Sequence, residues 1–181
     1  MTSVARVLIT GSADGLGRAA AVAGDPADID QTRSVASQVG ESGPIDAVIH
    51  NAGVYSGPAI LPVNVVAPYL LTALLPAPRR LIYLSSGMHR GGRADLGGLD
   101  WTGRRSTGTY STSKLFVTAL ALAVARLRPG AVSNAVDPGW VPTRSHTRPP
   151  PTSASRTACS TPSPSTPERR SELSRGRSCA S

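Results

Sequence analysis

The chain has 181 residues, 40% of them hydrophobic and 17% charged, which suits one folded domain of ordinary size. Aromatics make up only 4%, so a core built here is aliphatic, and no stretch approaches the ~20 apolar residues of a membrane span. The formal charge is +8, but seven arginines against two acids from residue 144 onward carry most of it, so the body shows no basic face for nucleic acid.

Residues 4–10 read as a first strand, short and β-branched, running straight into glycine. This start lacks the cleavage site of a signal peptide, so a cytoplasmic location and no membrane association are expected. Residues 11–17 form a glycine-rich turn, and residues 18–22 begin as a helix that Gly24-Asp25-Pro26 stops. Residues 28–39 have weak helical character. Residues 45–50 are a second strand, ending in Asn51-Ala52-Gly53. Residues 64–75 form an apolar helix closed by Pro76 and Pro78. A third strand covers residues 81–85, a glycine- and arginine-rich loop residues 87–108, and the longest helix residues 110–127. A fourth strand at residues 131–136 leads into Asp137-Pro138-Gly139. Strands alternating with helices predict an α/β fold with a parallel, doubly wound sheet. Residues 144–181 hold fifteen Ser/Thr and six Pro, with Leu173 as their only large aliphatic residue, and are expected to be disordered. Their composition fits either a genuine low-complexity tail or GC-rich DNA read in a shifted frame. Cys159 and Cys179 both lie there, which gives no reason to infer a disulfide or a metal site.

Thr10-Gly11-Ser12-Ala13-Asp14-Gly15-Leu16-Gly17 follows a strand and opens a helix. In that setting glycines let backbone approach a pyrophosphate, and a helix N-terminus offers N–H donors to it. Asn51-Ala52-Gly53 ends a strand, where ligands of open α/β sheets bind. Tyr110 and Lys114, four apart, share one helix face, and Lys114 is the chain's single lysine. A cation beside a phenol favours the phenolate and lowers its pKa from about 10, which readies it for proton exchange with an alcohol or ketone. Ser85-Ser86 sits at the end of the third strand, where a hydroxyl can polarise a carbonyl. Asn64 is either the N-cap of its helix or a water-holding active-site group.

Together and in this order these residues resemble the short-chain dehydrogenase/reductase family, over about residues 4–143. The long stretch from Ser86 to Tyr110, with His89 and Leu99-Asp100 within it, resembles the retinol dehydrogenase-like branch. The resemblance implies an incomplete Rossmann-type NAD(P)-binding domain over residues 1–143, and hydride transfer between nicotinamide and a carbonyl or secondary alcohol. It implies Tyr110 as acid/base, Lys114 lowering its pKa and holding the nicotinamide ribose, Ser86 on the carbonyl and Asn64 on a relay water. It also implies cofactor contacts from Gly11, Ser12, Asp14, Gly15, Leu16, Gly17, Asn51, Ala52, Gly53, Tyr110 and Lys114. Asp25 stands where the family contacts adenine, and Pro138, Gly139, Val141 and Thr143 stand where it closes over the carboxamide. A small-molecule substrate and a homodimer follow by the same resemblance, with no nucleic-acid partner. Only seven residues separate Gly17 from Asp25, where the family has a helix, a strand and a further helix. The group that separates NAD from NADP is lost with them, so the cofactor is either. The alternative reading is an inactive remnant or a nucleotide-binding scaffold without turnover.

Overall fold

A computed structural model of the chain describes residues 5–11 and 22–139. Four strands, β1 (Val7–Ile9), β2 (Ala47–His50), β3 (Arg80–Leu84) and β4 (Val132–Val136), lie side by side in chain order, every pair parallel. Helix α1 (Ile29–Glu41) joins β1 to β2, α2 (Ala67–Leu74) joins β2 to β3, and α3 (Tyr110–Leu127) joins β3 to β4. A π-helical turn, Pro62–Val66, runs into α2, and a 3-10 helix, Gly87–Gly91, follows β3.

The register decides which side chains share a face. Leu8 stands opposite Val48, Val48 opposite Leu81, and Tyr83 opposite Ala135. These residues pack with Ala36 and Val39 of α1, Leu71 of α2 and Val117, Ala121 and Val124 of α3 in one core. The α3 positions recur at i, i+4, i+7, the spacing of one helix face. All three helices therefore cover the same face of the sheet. Each crossover steps one strand in the same direction, and right-handed connections then put every helix on one side. The result is a truncated Rossmann-type sheet, with β1 at its edge among the described residues. The opposite rows, Val7–Ala47–Arg80–Val132 and Ile9–Ile49–Ile82–Asn134, carry no described helix.

Boundaries moved where caps and prolines act. Asp28 is the N-cap of α1, its Oδ1 accepting from the N–H groups of Asp30 (2.8 Å) and Gln31 (3.1 Å). Helical structure begins before Asn64, which lies inside the π turn. The N-cap alternative for that residue is thereby removed. Leu75 turns extended ahead of Pro76, which ends α2.

One polar group is built into the core. Thr72 Oγ1 lies 3.1 Å from His50 Nε2 and 2.8 Å from the Tyr83 hydroxyl, and the His50 and Tyr83 rings stack at 4.6 Å. Burial depresses the His50 pKa to about 3, so the ring is neutral near pH 7. Burial also pushes the Tyr83 hydroxyl up, against the pull of its bond to Thr72. Among the described residues, no helix is long and apolar enough to cross a membrane.

Candidate active site

The turns after β1 and β2 are latched together. Thr10 Oγ1 accepts from the N–H groups of Asn51 and Ala52, both at 3.0 Å, and Asn51 Nδ2 donates to the Thr10 carbonyl at 2.9 Å. Gly11 is left-handed, with φ +71°, and a Cβ there would come within 2.8 Å of Ala52 Cα. Only glycine fits that approach. Beside this latch opens a cavity of about 320 Å³, its walls including Gly11, Gly24, Pro26, Val35, His50 and Ala52. His50 Nδ1 is buried without a hydrogen-bond partner. Narrow glycine backbone beside apolar walls suits a flat aromatic group. Asp25 flanks the cavity through its neighbours, while its own Oδ1 accepts from the Ala27 N–H at 2.8 Å within a tight turn. Ser12, Asp14, Gly15, Leu16 and Gly17 lie outside the described residues, as do Val141 and Thr143.

The second half of the site gathers on α3. Thr109 caps that helix by accepting from the Thr112 N–H at 3.1 Å, so Tyr110 enters on its first turn. The Tyr110 phenol bonds to the Ser86 hydroxyl, and its ring packs on Tyr55 at 4.7 Å. Ser85 is taken up elsewhere: its Oγ is buried and lies 2.6 Å from Thr118 Oγ1. The second serine of the pair is thus the one at the tyrosine. Lys114 Nζ donates to the Leu84 carbonyl at 2.6 Å and lies 5.4 Å from the Tyr110 ring centroid. Asn64 Oδ1 accepts from the Val54 N–H at 2.8 Å, and Asn64 Nδ2 donates to the Val54 carbonyl and to Ser113 Oγ, each at 2.9 Å. Ser113 in turn donates to the Tyr110 carbonyl at 2.7 Å. A side chain on Gly53 would touch Asn64 Oδ1 at 3.5 Å and Lys114 Nζ at 3.7 Å, so that glycine keeps a gap open against both. Pro138 and Gly139 follow β4, whose end is pinned to β3 by the Ser85 N–H donating to the Val136 carbonyl at 2.8 Å.

The electrostatics correct one expectation. Burial pushes the Tyr110 phenol above its ordinary value, helped by Tyr55 and Asp137, while the Ser86 hydrogen bond pulls the other way. Lys114 Nζ lies over the Tyr110 ring, 5.4 Å from its centroid, while it donates to the Leu84 carbonyl. Burial depresses Lys114 itself to about 8. Sequence reasoning also missed Ser113, Tyr55, the Thr10 latch and the Val54 backbone. Ser113 sits three residues after Tyr110, a spacing that could have flagged it, and Thr10 opens the glycine-rich motif; Tyr55 and Val54 carry no sequence signal.

No protein-family model matches the chain. It is 32% identical to the short-chain dehydrogenase chyC of Penicillium rubens over 188 residues, covering 78% of this chain and 73% of that protein. Those 188 positions exceed the share of a 181-residue chain that enters them, so the match jumps over stretches the relative has and this chain lacks. It is 34% identical over 138 residues to dehydrogenase/reductase SDR family member 13 of Bos taurus, covering 65% of this chain and 36% of that one. Among solved structures, a short-chain dehydrogenase from Burkholderia cenocepacia in complex with NADP superposes with a TM-score of 0.60 at 21% identity, covering 78% of this chain and 76% of that one.

Proposed function

The chain belongs to the short-chain dehydrogenase/reductase family, and from that membership we propose that it is an NAD(P)-dependent oxidoreductase acting on a carbonyl or secondary alcohol, with Tyr110 as acid/base. The observation that carries this reading is the convergence of Ser86, Tyr110, Lys114 and Asn64 at the carboxyl ends of β2 and β3. The residues present fit a dinucleotide: the Gly11–Ala52 approach admits backbone contact, and the neighbouring apolar cavity suits an adenine ring. Gly11, Asn51, Ala52 and Gly53 would hold the adenosine side, Lys114 the nicotinamide ribose, and Pro138 and Gly139 the carboxamide. When bound, the nicotinamide supplies or takes the hydride. NAD and NADP both remain in the proposal.

The chain's own part is proton chemistry. Tyr110 is protonated near pH 7, so it gives its proton to a carbonyl oxygen in the reducing direction and recovers it in reverse. The Ser86 hydroxyl holds that oxygen. Asn64 Oδ1 and Lys114 Nζ both border the space beside Gly53, one acceptor and one donor that suit a relay water. A second reading, nucleotide binding without turnover, draws on the Lys114 contact with Leu84, which occupies one N–H of the ammonium. Tyr69, Leu74 and Leu122 stand exposed on α2 and α3, which supports the homodimer that family resemblance implies.

The test is titration of the full chain with NADH and NADPH by energy transfer from tryptophan, then turnover on a carbonyl panel beside Tyr110→Phe. We expect saturable binding in both proteins and a loss of about 10²–10⁴ in kcat for the variant. Saturable binding with identical, negligible rates in both would establish the second reading. No binding of either nucleotide would remove both.

A further inference from the structure

We propose that Tyr55 is a specificity-determining residue of the site described above: its ring forms an aromatic wall beside the Tyr110 phenol and favours carbonyl substrates that carry an aryl group on the reacting carbon. The inference rests on the oxidoreductase reading and names its substrate class. The Tyr55 and Tyr110 rings lie 4.7 Å apart at a tilt of 39°, inside the range of about 4.5–7 Å over which aromatic rings attract one another. Tyr55 is 49% exposed and is not a member of the core. One side of its ring is on Tyr110 and half of its surface stays open, so open aromatic surface borders the acid/base residue.

The backbone that carries this ring is anchored on both sides. Val54, directly before it, donates its N–H to Asn64 Oδ1 at 2.8 Å and accepts at its carbonyl from Asn64 Nδ2 at 2.9 Å. Two residues after it, the Gly57 carbonyl accepts from the Ile60 N–H at 3.4 Å, where helical structure begins. Asn64 thereby holds the segment that presents Tyr55. A ring set in place beforehand loses little freedom when a ligand arrives, so the contact is kept in the affinity. A carbonyl oxygen that accepts from the Tyr110 and Ser86 hydroxyls brings the substituents of its carbon to the rim of the Tyr110 ring, and Tyr55 packs against that ring. An aryl substituent there adds a third ring to the pair, stacked or edge-to-face. A saturated ring of the same size buries similar area but has no quadrupole to match. Acetophenone and cyclohexyl methyl ketone differ in this respect and in little else, so the ratio of their affinities isolates the aromatic contact.

The test reads the Kd of each ketone for the full chain by ligand-observed NMR, with saturating NAD+ and, separately, NADP+, so that no reduction intervenes. Wild type is compared with two non-aromatic variants, Tyr55→Leu and Tyr55→Gln, and with the conservative Tyr55→Phe. Tyr55 stands outside the core, so these changes leave it intact, and circular dichroism checks that each variant folds. We expect wild type to bind acetophenone about three- to tenfold tighter than the saturated ketone, the non-aromatic variants to bring that ratio near one, and Tyr55→Phe to keep it. Equal affinities in wild type, a ratio that survives in the non-aromatic variants, or binding of neither ketone overturns the proposal. So does an equal loss for both ketones, which would make the ring a prop for Tyr110. Turnover with NADH and NADPH is measured apart. A ratio that depends on Tyr55 without turnover supports the wall and removes the oxidoreductase reading, whereas turnover without the ratio removes the wall alone.

Discussion

Above pH 8, Lys114 is a residue through which pH acts on this fold. It is 5% exposed, and burial holds its pKa near 8 rather than the ordinary 10.5. A depressed lysine means that between pH 8 and 10 the unfolded chain keeps the proton longer than the folded one. Stability therefore rises with pH across that window, by about 2 kcal/mol. Above pH 10 the raised phenols of Tyr83 and Tyr110 work in the opposite sense. Urea unfolding at pH 8, 9 and 10 reads the rise, and Lys114→Met should flatten it; a flat wild-type profile would contradict the burial argument. The pairing of Tyr110 with Lys114 was legible because four residues on a helix fix a shared face. The direction of the lysine's hydrogen bond was not, because the Leu84 carbonyl that receives it lies on a strand thirty residues away. The same gap hid Ser113, whose partner Asn64 comes from another crossover.

Among the described residues, strands and helices were found where apolar runs and breakers placed them, and α3 spans the residues expected of it; the helix start expected at residues 18–22 falls largely outside them. The π turn at Pro62–Val66 was not legible, since one extra residue per turn leaves no periodic mark in five residues. It matters, because it carries Asn64 into contact with Val54 and Ser113. The start of α3 matters as much. Thr109 is its only side-chain cap, and it precedes the tyrosine directly. We expect Thr109→Ala to cost about 1 kcal/mol of stability. Because the fraying falls on the turn that carries Tyr110, turnover should fall more than nucleotide affinity does. Denaturant midpoints and a comparison of kcat with the nucleotide Kd separate the two effects.

For the whole molecule, the parallel α/β class followed from alternation of elements. That the three described helices share one sheet face did not follow, because strand order is a long-range property that no local window contains. A chain ending at Thr143 is expected to unfold at the same urea midpoint within about 0.5 kcal/mol; a larger loss would mean that the last 38 residues pack on the body. The side-by-side order of β1 to β4 has one more consequence, during synthesis. A sheet whose first strand lies at its centre must reserve a flank of that strand for a partner made much later. Here each strand leaving the ribosome meets a partner already made, its immediate predecessor. Assembly can then run vectorially from the N-terminus, at the pace of translation, ~5–20 residues per second, each described strand adding to the flank of its predecessor.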